Sequence, residues 1–429
     1  MHDARTLLQL GDDAVKRLAR RGYTLDLQRL EELLSRRNGT VQEAEARRSE
    51  SKQVAQQVQA AARSGQDTTE LKENARELKE QIRRLEEDQQ RFDAALHELL
   101  LEIPNLPSDD APDGDSEDFA VEIRRVGTPP SPAFEPRDHV DLGEAMGILD
   151  MRRAAKLSGA RFSVAVGPGA RLERALAAFL LDLHAGHGYQ EYSLPYMVSQ
   201  ETMTRSGQLP KFEEDLFKTG TASRDLYLIP TAEVPLVNLH ADEILDGADL
   251  PLAYTAWTPC FRSEAGSYGK DTRGILRLHQ FTKVELVRVC RPEDSRSELE
   301  LMLGHAEACL RELDLAYRVV ALAAGDMAFT AQITYDIEVW LPSQQRYREI
   351  SSCSDCGTFQ ARRAGIRMRD GQGKRSPVAT LNGSGLPIGR TLAAILEQHQ
   401  QADGSVTMPP KLVPYLGFSR LAPDGTPES

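Results

Sequence analysis

Between Leu71 and Ile103 the apolar positions recur at alternating steps of four and three: Leu71, Ala75, Leu78, Ile82, Leu85, Phe92, Leu96, Leu99 and Ile103, with only Gln89 polar among them. A seam sustained over that length fits one structure, a long helix packed along another helix. Upstream, Leu30, Leu34, Val41, Ala44, Ala55, Val58 and Ala62 keep a weaker version of the register, interrupted by Arg37, Arg48 and Ser51. Two helices of about 35 residues would each extend ~50 Å. Ser64, Gly65, Gln66 and Asp67 between them suit a short turn, so the pair is expected to be antiparallel. The product is a helical hairpin over residues 1–103. Dimerisation or scaffolding is the usual role of such an element.

After Ile103 the composition changes. PNLPSDDAPDGDSED is acidic and interrupted by proline, and TPPSPAFEPRDH prolongs the irregular stretch, so residues 104–139 read as a linker to a second domain over 140–429. The 429 residues, 40% hydrophobic and 27% charged, suffice for a two-domain globular protein. No apolar run approaches the roughly 20 residues of a membrane span, and MHDARTLLQLGDDAVKR lacks a signal-peptide core, so no membrane association and a cytoplasmic location are expected. Five scattered cysteines, Cys260, Cys290, Cys309, Cys353 and Cys356, argue against a disulfide framework. Cys353 and Cys356 form a C-x-x-C with no second ligand pair, which points to structural thiols rather than zinc. His184 and His187, at the end of a helical pattern, fit the helix dipole better than a metal.

The second domain holds the chemistry. In FRSEAGSYGKDTRGILRLHQFTKVE, residues 261–285, charged side chains stand where a buried strand would carry apolar ones. Strand alternation would put Arg262 and Glu264 on one face, and Arg277, His279, Phe281, Lys283 and Glu285 on another. The opposite faces hold Phe261, Leu276, Leu278, Val284 and Leu286. Unpaired buried charge costs several kcal/mol, roughly, so these charges must meet water, one another or a bound anion. The glycine-rich, basic AGSYGKDTRG between them reads as a hairpin loop able to reach a phosphate backbone. A net charge of −13 does not preclude a nucleic-acid partner, since local clusters matter more. Arg36, Arg37, Arg47, Arg48, Lys52 and Arg63 form such a cluster on the first long helix, where an ordinary solvated exterior is the competing reading.

This stretch resembles motif 2 of class II aminoacyl-tRNA synthetases, in the form found in bacterial-type seryl-tRNA synthetases, and the similarity runs almost end to end. GPGARLERALAAFLLDLHAGHGYQEYSLPYMVSQ, with Pro195, is similar to motif 1, and LNGSGLPIGRTLAAILEQ to motif 3. The resemblance implies an α+β fold: an antiparallel catalytic sheet of about six to eight strands flanked by helices, preceded by an antiparallel coiled-coil arm that grips serine tRNA. It implies a homodimer, ATP with Mg²⁺, and no zinc. It also implies serine activation and transfer to tRNA(Ser), and to tRNA(Sec) where that exists. Thr231, Ala232 and Glu233 inherit serine contacts, with Thr231 and Glu233 expected on one side of an extended segment. Arg262 matches the arginine on the α-phosphate and the substrate carboxylate, where a planar guanidinium suits both anions. Glu264 matches the adenine contact and Phe281 the ring that stacks on it, with Ser263 and Arg277 beside them. Glu285, Asn382 and Ser384 match the serine pocket, and Arg390 the γ-phosphate arginine. Glu349 and Ser352 match the Mg²⁺ pair, with Ile350 and Ser351 between them in the ATP site. Strict alternation would pair Glu349 with Ser351, so this assignment requires a bulge or strand end over 350–352.

Four positions depart from the family pattern: Ala328 for glycine, Ile333 for lysine, Val237 for threonine and Thr358 for an acidic residue. They suggest a diverged paralogue, adapted to a serine-like inhibitor or to a specialised pathway. A carrier-protein ligase would lack the arm, and a silent tRNA-binding protein would have lost Arg262, Glu349 or Arg390.

Overall fold

The structure is a computed structural model and describes residues 1–265 and 273–429. Most of the loop read as reaching a phosphate backbone, residues 266–272, lies outside the described residues. The chain divides into two compact units, one of residues 2–104 and one of residues 105–429 with Met1.

The first unit is built on two helices, α1 (Leu27–Arg63) and α2 (Thr69–Glu102). Asp26 starts α1 by accepting from the Arg29 amide, and Gly65, at φ +69°, turns the chain before Asp67 receives the Thr69 amide. Arg37 pairs with Asp93 at 2.9 Å and Arg48 with Glu86 at 2.7 Å. Partner numbers fall as α1 numbers rise, so the hairpin is antiparallel. On α2 the expected seam is nowhere fully exposed, with Leu78 buried, and Leu100, one residue off the seam, is buried as well. On the distal half of α1 the register differs from expectation. Val54 and Ala61 are buried, whereas Ala55 and Ala62 are exposed. Ala44, Arg47, Ser51, Val54, Val58 and Ala61 complete a four-three seam that tolerates polar members, which a search for apolar residues steps past. Of the six basic residues noted on α1, Arg36, Arg37, Arg47 and Arg48 each have an acidic partner. Exposed pairs of this kind contribute little stability, about 0–1 kcal/mol each, and leave the arginines free to exchange partners.

The second unit is organised by an eight-stranded sheet. In chain order its strands are β1 (Val121–Val126), β2 (Gln190–Glu191), β3 (Leu252–Phe261), β4 (Gln280–Cys290), β5 (Tyr317–Ala321), β6 (Ile333–Leu341), β7 (Arg346–Asp355) and β8 (Ala379–Pro387). Their spatial order is β1-β5-β6-β7-β8-β4-β3-β2, antiparallel except for the short β2, which runs parallel to β3. The 104–139 stretch is not a free linker. It supplies β1 at the sheet edge, and the buried Asn105 amide donates to the carbonyls of Thr330 and Cys356 at 2.8 and 2.9 Å. The prolines and acids that signal a connector describe its exposed side; its pairing with β5, from Val121 opposite Ala321 to Val126 opposite Tyr317, is set by residues far away in the chain.

One sheet face is sealed by three helices, α3 (Pro168–Gly186), α4 (Ser295–Glu312) and α5 (Ile388–Gln398), around a core that takes Val284 and Leu286 from β4. The other face carries Phe281, Lys283 and Glu285, then continues as Val287 and Val289 into a smaller apolar cluster with Ala232, Leu236 and Ala361. β4 therefore has a polar half and a buried half on one side. That asymmetry opens a cleft over its first residues. No described helix is long and apolar enough to cross a membrane.

Candidate active site

The cleft is reached where β3 ends. Arg262 and Glu264 lie just beyond the last residue of β3, and the segment from 273 to 279 is irregular, so the alternation expected across both ends of this stretch holds only from Gln280 onward. Glu264 takes a left-handed conformation, φ +55°, which turns its side chain back toward the cleft, where Arg277 meets it at 3.3 Å. Arg262 is anchored by its Nε, 3.3 Å from the Pro230 carbonyl, and its guanidinium lies 5.2 Å from the centroid of the Phe281 ring. With Nε committed, the two terminal nitrogens remain for an anion. Ser263 is held on the outer side, its hydroxyl bonded to the Glu214 carbonyl.

Opposite stands Arg390, at the start of α5. It donates through Nε to the Leu276 carbonyl at 3.0 Å and through Nη1 to the Glu349 carbonyl at 2.8 Å, with the Glu349 carboxylate at 3.2 Å. Arg262, Glu264, Arg277, Phe281, Glu349, Ile350, Ser384 and Arg390 line one cleft, and a second cavity continues from it across Arg277, Glu349 and Arg390 toward Asp336 and Glu338. Two arginine forks facing across a cleft suit a substrate carrying several anionic groups.

The bulge that the Glu349 and Ser352 assignment requires is present. Glu349 pairs with Glu338, Ser351 with Ile337 and Ser352 with Asp336, so Ile350 has no partner on β6. The extra residue puts Glu349 and Ser352 on the same face. Ser351 turns the other way: it is fully buried and its hydroxyl donates to the Ser384 carbonyl at 2.7 Å. Its hydroxyl is thus committed to the core, so a nucleotide contact by Ser351 would fall to its backbone. Arg390 holds the Glu349 carboxyl below its usual range, while burial and the neighbouring Glu349 push Asp336 well above its own. Asp336 Oδ1 is buried without a hydrogen-bond partner. Set among Glu349 and Ser352, it completes a group of hard oxygen donors of the kind that suits a divalent cation.

Deeper in, a polar cluster forms beneath the cleft. Thr231 donates to Glu285 Oε2 at 2.7 Å, and Lys283 pairs with the same oxygen. Glu233 accepts from Gln360 at 2.6 Å and from Asn382 at 3.1 Å, and Gln360 is itself fixed by Thr380 at 2.7 Å. Ser384 stands opposite Glu285 in the β8 to β4 register, on the same face. The segment carrying Thr231 to Glu233 is not extended as expected. Glu233 begins a short helix, Glu233–Asn238, and its amide donates to Thr231 Oγ1 at 3.3 Å. Proline and β-branched residues made this stretch resemble a strand, yet the buried helix still brings both side chains into the pocket. The side chain of Ala232 packs fully buried in the smaller apolar cluster, so a substrate contact there would fall to its backbone.

Both domains match known families. Residues 1–107 match the seryl-tRNA synthetase N-terminal domain, and residues 216–399 match the class II tRNA synthetase core domain shared by the enzymes for G, H, P, S and T. A relative from Streptomyces avermitilis, serine–tRNA ligase 2, is 59% identical over 99% of each chain. The chain belongs to the seryl-tRNA synthetase family. A serine–tRNA ligase from Nitratidesulfovibrio vulgaris is 53% identical, over 96% of this chain and 97% of the relative. The crystal structure of seryl-tRNA synthetase from Pyrococcus horikoshii complexed with ATP superposes with a TM-score of 0.91 at 36% identity, over the whole of both chains. That of the cytoplasmic serine–tRNA ligase from Naegleria fowleri in complex with AMP gives 0.86 at 26% identity, over 98% and 99% of the two chains.

Within this seryl-tRNA synthetase fold, three residues that sequence reasoning did not assign to the site belong to it by contact. Lys283 neutralises Glu285, Gln360 orients Glu233, and Asp336 borders Glu349. The alternation of β4 already placed Lys283 beside Glu285. Nothing local marks Gln360, whose partners lie on three other segments. The C-x-x-C thiols are buried, Cys353 within β7 and Cys356 receiving a hydrogen bond from Asn382 at 3.4 Å. Of the four departures from the family pattern, Val237 and Ile333 are buried in apolar clusters, and Thr358 receives a hydrogen bond from Arg362 at 3.2 Å.

Burial and the charge of Glu285 push the Glu233 carboxyl up to about 7. It is therefore protonated and neutral below that value and anionic above it. An ammonium ligand prefers the anion, so the KM for an amino-acid substrate should fall as pH rises from about 6 to 8, by up to about tenfold. The Glu233→Gln variant should show a flat profile over that range. A wild-type KM independent of pH there would mean that Glu233 does not receive the ammonium.

Proposed function

We propose that the chain is a serine–tRNA ligase: it activates L-serine with ATP, releasing pyrophosphate, and transfers the seryl group from the adenylate to the 3′-terminal ribose of tRNA(Ser), and of tRNA(Sec) where present. The observation that carries this reading is the convergence of Thr231, Glu233, Glu285, Asn382 and Ser384 into one polar cluster that meets the Arg262 and Arg390 cleft at Ser384. The pocket suits a small zwitterion with a hydroxyl, and the cleft suits a triphosphate.

In this reading Glu233 receives the serine ammonium, and Glu285 with Ser384 receives the hydroxyl. Arg262 holds the serine carboxylate against the α-phosphate, so the carboxylate oxygen attacks phosphorus while pyrophosphate leaves on the opposite side. Glu264 accepts from the adenine amino group and Phe281 stacks on the ring, with Ser263, Arg277 and the backbone of Ile350 at its margin. Arg390 holds the γ-phosphate. Catalysis here rests on positioning and charge neutralisation. Glu349 and Ser352 would hold Mg²⁺, which supplies neutralisation of the phosphate charge; the orphaned Asp336 oxygen beside them supports that fit. The arm formed by α1 and α2 grips the tRNA by shape, its arginines exchanging carboxylate partners for phosphates. Residues of α3 through Pro195 form a homodimer interface, and the enzyme works in the cytoplasm.

A diverged paralogue, serving antibiotic self-resistance or a specialised pathway, would run the same reaction. The number in the name of the Streptomyces relative, and Ala328, Ile333, Val237 and Thr358 in this chain, favour it as the second reading.

Serine-dependent exchange of pyrophosphate into ATP, followed by acylation of tRNA(Ser), tests the reading. Serine-selective exchange with tRNA charging is the expected result. Exchange without charging would point to a carrier-protein ligase, and no exchange at all to a non-catalytic tRNA-binding protein.

A further inference from the structure

Directly after Ser384, β8 carries an irregularity. Ser384 pairs with Glu285 and Leu386 with Val284, so Gly385 is an inserted residue with no register partner on β4. On the other side of β8 the pairing with β7 ends at Gly383, opposite Cys353. Ser384 and Gly385 thus stand where the ladder has slipped, and a slipped ladder leaves backbone groups in need of partners. Three side chains meet them from the core: Ser351 Oγ reaches the Ser384 carbonyl at 2.7 Å, and the Gly385 carbonyl is reached by His184 Nε2 at 3.0 Å and, at a longer 3.7 Å, by Cys309 Sγ.

His184 comes from α3, outside the cleft, and is fully buried. Burial pushes its pKa down to about 4, so the ring is neutral at physiological pH and carries a single N–H. Its Nδ1 is buried with no hydrogen-bond partner, where an N–H would be costly, so the proton sits on Nε2 and is donated to Gly385. The fit is close. A Cβ on residue 385 would come within 2.5 Å of His184 Nε2, so only glycine admits the ring, while Cys309 Sγ packs 3.3 Å from the same nitrogen.

We propose that His184 is a positioning residue for the amino-acid pocket: by donating to the carbonyl of the bulged Gly385 it fixes β8 immediately after Ser384 and so holds Ser384 in place opposite Glu285. A histidine that the sequence suggests is only a helix-end ornament links the helix over 168–186 to the pocket floor. The inference rests on the reading of that pocket as the serine site. Arg262, Phe281 and Arg390 each have holding contacts of their own away from Gly385, so the ATP KM is expected to change less than the serine KM.

The test is pyrophosphate exchange by the full chain, with serine and ATP varied separately, for His184→Leu, His184→Gln and Gly385→Ala, each with its thermal midpoint. Leucine fills the space without a donor, whereas glutamine returns an amide N–H to the place of Nε2. Expected are a serine KM raised roughly tenfold in His184→Leu and Gly385→Ala, an ATP KM changed by less than about twofold, and recovery of most of the serine KM in His184→Gln. A serine KM within about twofold of the parent in folded His184→Leu would overturn the proposal. Should that variant not fold, the same result in Gly385→Ala would do so. Equal rises in the KM for serine and ATP would also overturn it, by marking a general packing role. If the parent chain itself shows no serine-dependent exchange, the functional reading fails rather than the contact.

Discussion

Replacing Arg262 with alanine is expected to lower serine-dependent pyrophosphate exchange by about 10²–10³ in kcat/KM, the largest loss of any single cleft substitution. The magnitude follows from geometry. Arg262 is tied down at one end by its Nε contact to Pro230 and flanked by Phe281, so its two terminal nitrogens are presented without the conformational cost that a free arginine would carry. A preorganised donor pair aimed at developing phosphate charge is worth more than a charge alone. Arg262→Lys should therefore recover only part of the loss, because an ammonium cannot hold Pro230 and still present two parallel donors. Full activity in the lysine variant would show that the residue acts as a point charge, and the mechanism proposed for the carboxylate and α-phosphate would need revision.

The second large effect is expected at Glu285, as a loss of selectivity. Thr231 and Lys283 both bond to Oε2, which leaves Oε1 to accept from a substrate hydroxyl. A site built around such an acceptor penalises alanine because the buried oxygen then goes unpaired, a discrimination worth up to ~10⁴. In Glu285→Gln the charge is gone, and Lys283, itself buried, is left without its counterion. The ratio of kcat/KM for serine to that for alanine should collapse by a factor of roughly 10² or more, and the thermal midpoint should fall, since stranding one member of a buried ion pair costs about 3–5 kcal/mol. A lower midpoint with an unchanged serine to alanine ratio would assign Glu285 a structural role only.

Both expectations draw on residues visible in the sequence, but for different reasons. Alternation along β4 is a local property: Phe281, Lys283 and Glu285 share a face because successive strand residues must point to opposite sides. The heptad seam of α2 is equally local, and the structure leaves none of its positions fully exposed. On α1 the same reasoning missed Val54 and Ala61, because adjacent small residues differ little in hydrophobicity and only the partner helix decides which one it covers. Arg262, Glu264 and Arg277 were legible as charges standing where a buried strand would carry apolar residues, although they meet through turns rather than strand faces.

What periodicity could not supply was the breaks in periodicity. The bulge at Ile350 sets Glu349 and Ser352 on one face and sends Ser351 to the core, and the bulge at Gly385 sends Leu386 to the core beside Val284 directly after Ser384 has met Glu285. Each depends on how one strand registers against a partner more than ten residues away, a pairing energy that no local window contains. The same is true of Gln360 on Glu233 and of His184 on Gly385, where donor and acceptor are separated by 127 and 201 positions. The sequence by itself determined the hairpin of long helices, the polar half of β4 and the side chains able to handle phosphate and ammonium. Tertiary structure alone decided which of them converge, because convergence is set by cross-strand register and by the burial of polar groups that must find partners at a distance.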